Sequence, residues 1–214
     1  MKRLVIVTGP QGSGNHLFAK ILALHPDVFG WKSLLETEWE GHDKEPFNDI
    51  WTEPKNVNKH DWSHQYMVAS ISCPYFDNGV ETIPKFEKVI RRLQDKDIDV
   101  KLVIIGRDQT ILEHQELRVR GKMTYPVMLQ EMPTLMKFNP IFISTELLYL
   151  YRRDYLVSLQ NLLKIPIATE DEVIDKMLLD DANEKYIKPA DEFYRDALAR
   201  ESSLTWNILK NPHK

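Results

Sequence analysis

A three-layer α/β sandwich with a mostly parallel central sheet is the architecture this sequence predicts, on three observations. Short β-branched runs alternate with segments whose apolar residues recur at helical spacing. The first run, "LVIV", leads into a glycine-rich loop and then straight into a helical pattern. The 214 residues, 43% of them hydrophobic, contain no glycine, serine or proline tract that would separate one domain from another. One domain spanning 1–214 with a full core is therefore expected.

The elements follow in order. Leu4 to Val7 is an unbroken apolar run, the mark of a strand buried on both faces. Leu17, Phe18, Ile21 and Leu22 then share one face of a helix. Residues 66–72, "YMVASIS", and 100–105, "VKLVII", read as further strands. Between them, Pro84 to Leu93 aligns Phe86, Val89, Ile90 and Leu93 on one helical face. A fourth strand at 140–144, "PIFIS", runs into a long helix carrying Leu148, Tyr151, Tyr155, Leu159 and Leu162, which ends against Pro166. Thr169 and Glu172 match a capping box opening a helix through Leu178, and 178–214 is expected to be a C-terminal helical segment, either a lid, a helix on the core or an interface. Residues 30–64 are different: rich in Trp, His and charge, they show no sustained period. Such a stretch reads as a functional insertion or a partly disordered segment, and substrate contacts belong there. Trp31, Trp39, Trp51 and Trp62 either stack on a sugar or aromatic acceptor or anchor the segment to the core.

Composition narrows the function. A net charge of -4 and a pI near 6.0 speak against a non-specific nucleic-acid binder, which needs surplus cations for phosphates. The single Cys73 rules out an internal disulfide framework and gives no zinc spacing, so it reads as a small buried filler. The opening "MKRLVIVTG" is far too short in its apolar stretch to span a membrane and reads as a strand, so a cytoplasmic protein without membrane attachment is expected.

Gly9, Gly12 and Gly14 make the first βα junction P-loop-like, since glycines let backbone N–H groups turn inward ahead of a helix N-terminus. Gly9 to Gly14 has GxxxxG spacing, but Asn15 replaces the ATP-binding lysine and His16 the Mg²⁺-binding hydroxyl. An ATPase or kinase would be crippled by that change, and a plain tight turn without ligand is the other reading.

"GPQGSGNHLFAKILALHPDV" resembles the opening of the sulfotransferases that use 3′-phosphoadenosine-5′-phosphosulfate (PAPS), with a pattern like that of the glycan and bacterial-type members. Ser13-Gly14-Asn15-His16 stands at the family's phosphosulfate-loop core, and His25-Pro26 at its His-Pro pair. Residues 72–76, "SCPYF", resemble the segment ahead of the strand that carries the 3′-phosphate arginine, and Arg107 stands at that arginine's place. "FISTELLYLYRRDYLVSLQNLLKIPI" resembles the family's later strand and leucine-rich helix. The resemblance implies a P-loop NTPase-like fold, PAPS as donor with PAP as product, no metal, and a small-molecule or glycan acceptor. It implies donor contacts from Gln11, Gly12, Ser13, Gly14, Asn15 and His16 to the 5′-phosphosulfate, and from Arg107 and Gln115 toward the 3′-phosphate. Gly12 departs from the usual Lys or Arg, Gln115 from a Ser and Ile71 from a frequent Lys. Arg118, Arg120, Lys122, Lys185 and Lys188 are the cations available to replace them.

For the chemistry, Glu36 is the first candidate base, because its place eleven residues after His25 resembles the catalytic glutamate of glycan N-sulfotransferases. His42, His60 and His64 are its rivals. His16 either donates from Nε2 to the bridging oxygen or caps and packs, and Arg107 either binds phosphate or pairs with Asp108 or Glu113. The expected function is sulfuryl transfer from PAPS to a hydroxyl or amine. A nucleotide or metabolite kinase and a catalytically silent nucleotide-binding protein are the alternatives.

Overall fold

The computed structural model describes residues 1–37, 40–77 and 79–179, together with 195 and 198. Its spine is β1 (Lys2–Gly9), whose residues are apolar on both faces. Leu4 and Ile6 face one half of the core, and Val5 and Val7 the other. On one side β1 pairs in parallel with β3 (Tyr66–Ser72), which pairs with the two-residue β2 (Val28–Phe29). On the other side it pairs in parallel with β6 (Ile98–Gly106), which pairs with β7 (Ile141–Ser144). The sheet order is therefore β2-β3-β1-β6-β7, every pairing parallel.

Helices cover both faces, as a parallel sheet requires. On one side, α1 (Asn15–Leu24), α5 (Thr145–Leu163) and α6 (Glu172–Leu179) bury Phe18, Ile21, Leu22, Leu148, Leu159 and Ile174 against Val5 and Val7. On the other, α2 (Phe86–Gln94) packs Phe86, Val89, Ile90 and Leu93, and α4 (Tyr125–Leu135) packs Met128 and Leu135. β1, β3, β6, β7, α1 and α2 match the sequence expectation, and the two-residue β2 is additional to it.

Other elements differ from it. Between β6 and β7 lie two helices with no clear sequence period: α4, and α3 (Gln109–Arg120), which is capped by the Asp108 side chain accepting from the Ile111 N–H at 3.0 Å. A hairpin, β4 (Tyr75–Asp77) with β5 (Val80–Thr82), follows β3. The last helix is capped by Asp171, which accepts from the Val173 N–H at 2.8 Å, so the Thr169–Glu172 capping box does not form. In α5, Leu148, Leu156, Leu159 and Leu163 are buried while Tyr151 and Leu162 are exposed, which shifts the expected apolar face. The helix is also broken at Arg152, at φ 48° and ψ −120°. The Ser144 N–H donates to the Tyr155 hydroxyl at 2.9 Å, whereas eleven residues of straight helix rise about 16 Å, so the second arm folds back along the first.

Residues 30–64, apart from the undescribed 38 and 39, are organised by short 3₁₀ turns at Ser33–Glu36, His42–Lys44, Asn48–Ile50 and Pro54–Asn58. Trp31, Trp51 and Trp62 are buried, so these three anchor the segment to the core and offer no stacking surface, while Trp39 lies outside the described residues. Most of 178–214, with Lys185 and Lys188, lies outside them too.

Candidate functional site

Four strand ends open onto one cavity of about 270 Å³. The loop after β1 contributes Gln11, Gly12, Gly14, Asn15 and His16; the end of β3 contributes Ser72, the residue after β6 Arg107, and the start of α5 Thr145 and Tyr149. Ligands of open parallel sheets bind at such carboxyl ends, where the strand order reverses.

The loop is held open by tertiary contacts. Gly12 and Gly14 have φ of 84° and 107°, which residues with a Cβ rarely adopt. A Cβ at Gly12 would meet Gln115 Cδ at 2.9 Å, and one at Gly14 would meet Thr145 Oγ1 at 2.9 Å. Thr145 in turn donates to the Ser13 carbonyl at 2.5 Å, tying the loop to α5. Gln11 donates to the Pro74 carbonyl at 3.0 Å, tying it to the stretch after β3. Asn15 is turned inward, its amide donating to the Gly9 and Pro10 carbonyls, each at 3.3 Å, and to Ser72 Oγ at 3.0 Å. Asn15 is thus a brace of the loop. Ser13 is buried with its hydroxyl facing no partner among the described residues.

The N-terminus of α1 carries no side-chain cap. Its first-turn N–H groups and dipole therefore make the cavity favourable to an anion. The Arg107 guanidinium bridges the Gly12 carbonyl and Gln115 Oε1 at the cavity wall. Of the carboxylates expected to pair with it, Asp108 serves α3 as its cap and Glu113 accepts from Gln109 Nε2 at 2.7 Å.

Two imidazoles complete the wall. Their ring centroids are 4.9 Å apart, and Trp31 lies 5.1 Å from His16 and 5.5 Å from His42. His16 Nε2 is 2.8 Å from the Glu40 carbonyl; a carbonyl only accepts, so Nε2 carries the proton and is not aimed at a ligand. Burial holds His16 below the ordinary histidine range. His42 is pushed down to about 3 by burial and by His16 beside it, so both rings are neutral near pH 7. Ser72 Oγ, which accepts from Asn15, also lies 3.1 Å from His42 Nε2, within hydrogen-bond distance.

The structure brings Gln11, Gly12, Gly14, Asn15, His16, Arg107 and Gln115 together, with Ser13 beneath them. It does not bring Glu36, which is exposed at the end of its 3₁₀ turn and lines no side of this cavity. Glu40, whose backbone carbonyl meets His16, has its carboxylate accepting from Trp31 Nε1 and Ser33 Oγ, each at 2.6 Å. Of the rival bases, His60 is bound to Asp49 at 2.6 Å and His64 is stacked on Phe29, 4.4 Å between centroids; only His42 lines the cavity. Lys122 is paired with Glu81 at 2.5 Å. Sequence reasoning misses Ser72 and Thr145 as site residues, and the available signal is their position at the carboxyl ends of predicted strands.

Among the described residues no cluster of His, Cys, Asp or Glu is arranged to hold a metal ion, and no helix is long and apolar enough to cross a membrane. No model of a known protein family matches the chain, and no curated protein matches it.

Proposed function

We propose that the chain is a PAPS-dependent sulfotransferase of the cytoplasm, moving a sulfuryl group to a hydroxyl or amine. The observation that carries the reading is the pairing of an uncapped α1 N-terminus with Arg107 on one cavity, where Asn15 and His16 replace the lysine and hydroxyl of an ATP site. An adenosine bisphosphate donor has two anionic ends and needs neither. The α1 N-terminus takes the 5′-phosphosulfate, and Arg107 the 3′-phosphate. In transfer, the acceptor heteroatom forms a bond to sulfur, the bond from sulfur to the bridging oxygen breaks, and PAP leaves with that electron pair. The acceptor proton passes to His42, whose basicity rises when an anion binds beside it. This replaces Glu36, which lies away from the cavity.

A thermal-shift comparison tests the reading, because a ligand of the native state raises stability by mass action. PAP and PAPS should stabilise the protein more than ADP or ATP with Mg²⁺. Arg107→Ala should weaken PAP at least tenfold more than adenosine 5′-phosphosulfate, which lacks the 3′-phosphate. Preference for ATP with Mg²⁺ would overturn the proposal. A second reading, a silent nucleotide-binding protein, is favoured by the low basicity of His42, which burial pushes down to about 3. PAP binding without transfer to any acceptor is its signature.

A further inference from the structure

We infer that a second cavity, which shares His42 with the first, is the acceptor subsite and takes a polyhydroxylated ring without negative charge, a neutral sugar or an amino sugar. The acceptor role rests on the donor reading above; the sugar-binding role does not. His42 lines both cavities, so the two share a wall residue. The second has a volume of about 360 Å³, within the roughly 300–1,000 Å³ typical of small-ligand sites.

The two cavities have opposite electrical character. The first has the Arg107 guanidinium and a helix N-terminus; the second is lined by the carboxylates of Asp49 and of Asp43, the latter loosely paired with Lys44 at 3.5 Å, and by no cationic side chain, His42 being neutral. An anion attracted to one is repelled by the other, which would sort donor from acceptor. Asp49 is fixed in place, accepting from Asn56 Nδ2 at 2.8 Å and bound to His60 Nε2 at 2.6 Å. Asn48 and Thr52 add hydrogen-bonding groups beside it. The partly exposed Phe76 supplies aromatic surface beside the buried Tyr75, and Lys122, bonded to Glu81, sits over the Phe76 ring at 5.6 Å. Carboxylates and amides next to an aromatic face match a sugar ring, which has hydroxyls around its rim and an apolar C–H face.

The test is NMR titration of glucose, glucosamine and glucuronate into the protein with and without PAP, following Thr52 and Phe76. Glucose and glucosamine should shift both residues, with glucuronate at least tenfold weaker. Phe76→Ala should weaken glucose about tenfold and leave stabilisation by PAP in place. Asp43→Asn, a change at an exposed side chain that carries no fold-wide risk, should narrow the gap between glucose and glucuronate. Sugar shifts without any stabilisation by PAP would uphold the sugar site and remove only the donor assignment. Stabilisation by PAP with no sugar response, or with glucuronate equal to glucose, would overturn the subsite.

Discussion

Glu116 is fully buried, yet its carboxylate is satisfied by three donors: the Thr124 N–H at 2.6 Å, the Tyr125 N–H at 3.2 Å and the Thr124 hydroxyl. A residue of α3 thereby caps the start of α4, and the two helices are set against each other by one side chain. Glu116→Ala strands buried donors and should cost about 1–3 kcal/mol, read as a lowered urea midpoint at unchanged slope. A loss under about 0.5 kcal/mol would mean that water replaces the carboxylate. This role was illegible in the sequence, because a glutamate eight residues before a threonine matches no local capping pattern. Glu36 and Glu40 make the same point at the site. They are one helical turn apart in number, and the 3₁₀ turn at Ser33–Glu36 leaves the first exposed while Trp31 and Ser33 hold the second beside His16. Spacing from His25 carried no information about that turn. The glycines and Arg107 were legible, since each follows directly from a strand end.

At the scale of elements, what burial imposes on both faces of a strand or one stripe of a helix was readable: β1, β3, β6, α1 and α2. What long-range contacts impose was not. The helical period in α5 runs through residue 152 without a break, so nothing local announces the reversal there. Arg152 has a left-handed φ and a ψ that only glycine adopts with ease. Arg152→Gly should therefore raise stability by about 1 kcal/mol, whereas Arg152→Ala, which keeps the Cβ, should change it far less, as denaturant midpoints would show. Equal effects from the two variants would locate the cost in the side chain's charge instead. The reversed arm is tied down by Arg153, which bonds Asp175 at 2.7 Å and the Thr169 carbonyl at 2.6 Å, so α6 moves with it.

For the whole molecule, two buried groups pull stability in opposite directions as pH changes. Glu45, accepting from the Phe47 and Ser70 N–H groups, is raised by burial from 4.5 to about 8. The folded state then holds a proton the unfolded chain gives up, so stability is full below about pH 4.5 and falls as pH rises toward 8. His42 is lowered from 6.5 to about 3, so the unfolded chain binds the extra proton and stability falls as pH drops from 6.5 toward 3. Each slope reaches at most about 1.4 kcal/mol per pH unit, and the two oppose between about 4.5 and 6.5. Melting midpoints should show the alkaline fall flattened in Glu45→Gln and the acid fall flattened in His42→Gln; unchanged limbs in both variants would assign the dependence to other groups. The cavity takes most of its wall from residues that follow the ends of four strands of one sheet, around 11–17, 72, 107 and 145–149, with His42 and Gln115 added from outside the sheet. No contiguous fragment contains such a site, and no incompletely assembled sheet can present it. Affinity for the ligand is thus a report on completed folding: ligand should slow hydrogen exchange across β1, β3, β6 and β7 alike, and only through openings that dismantle the sheet as a unit.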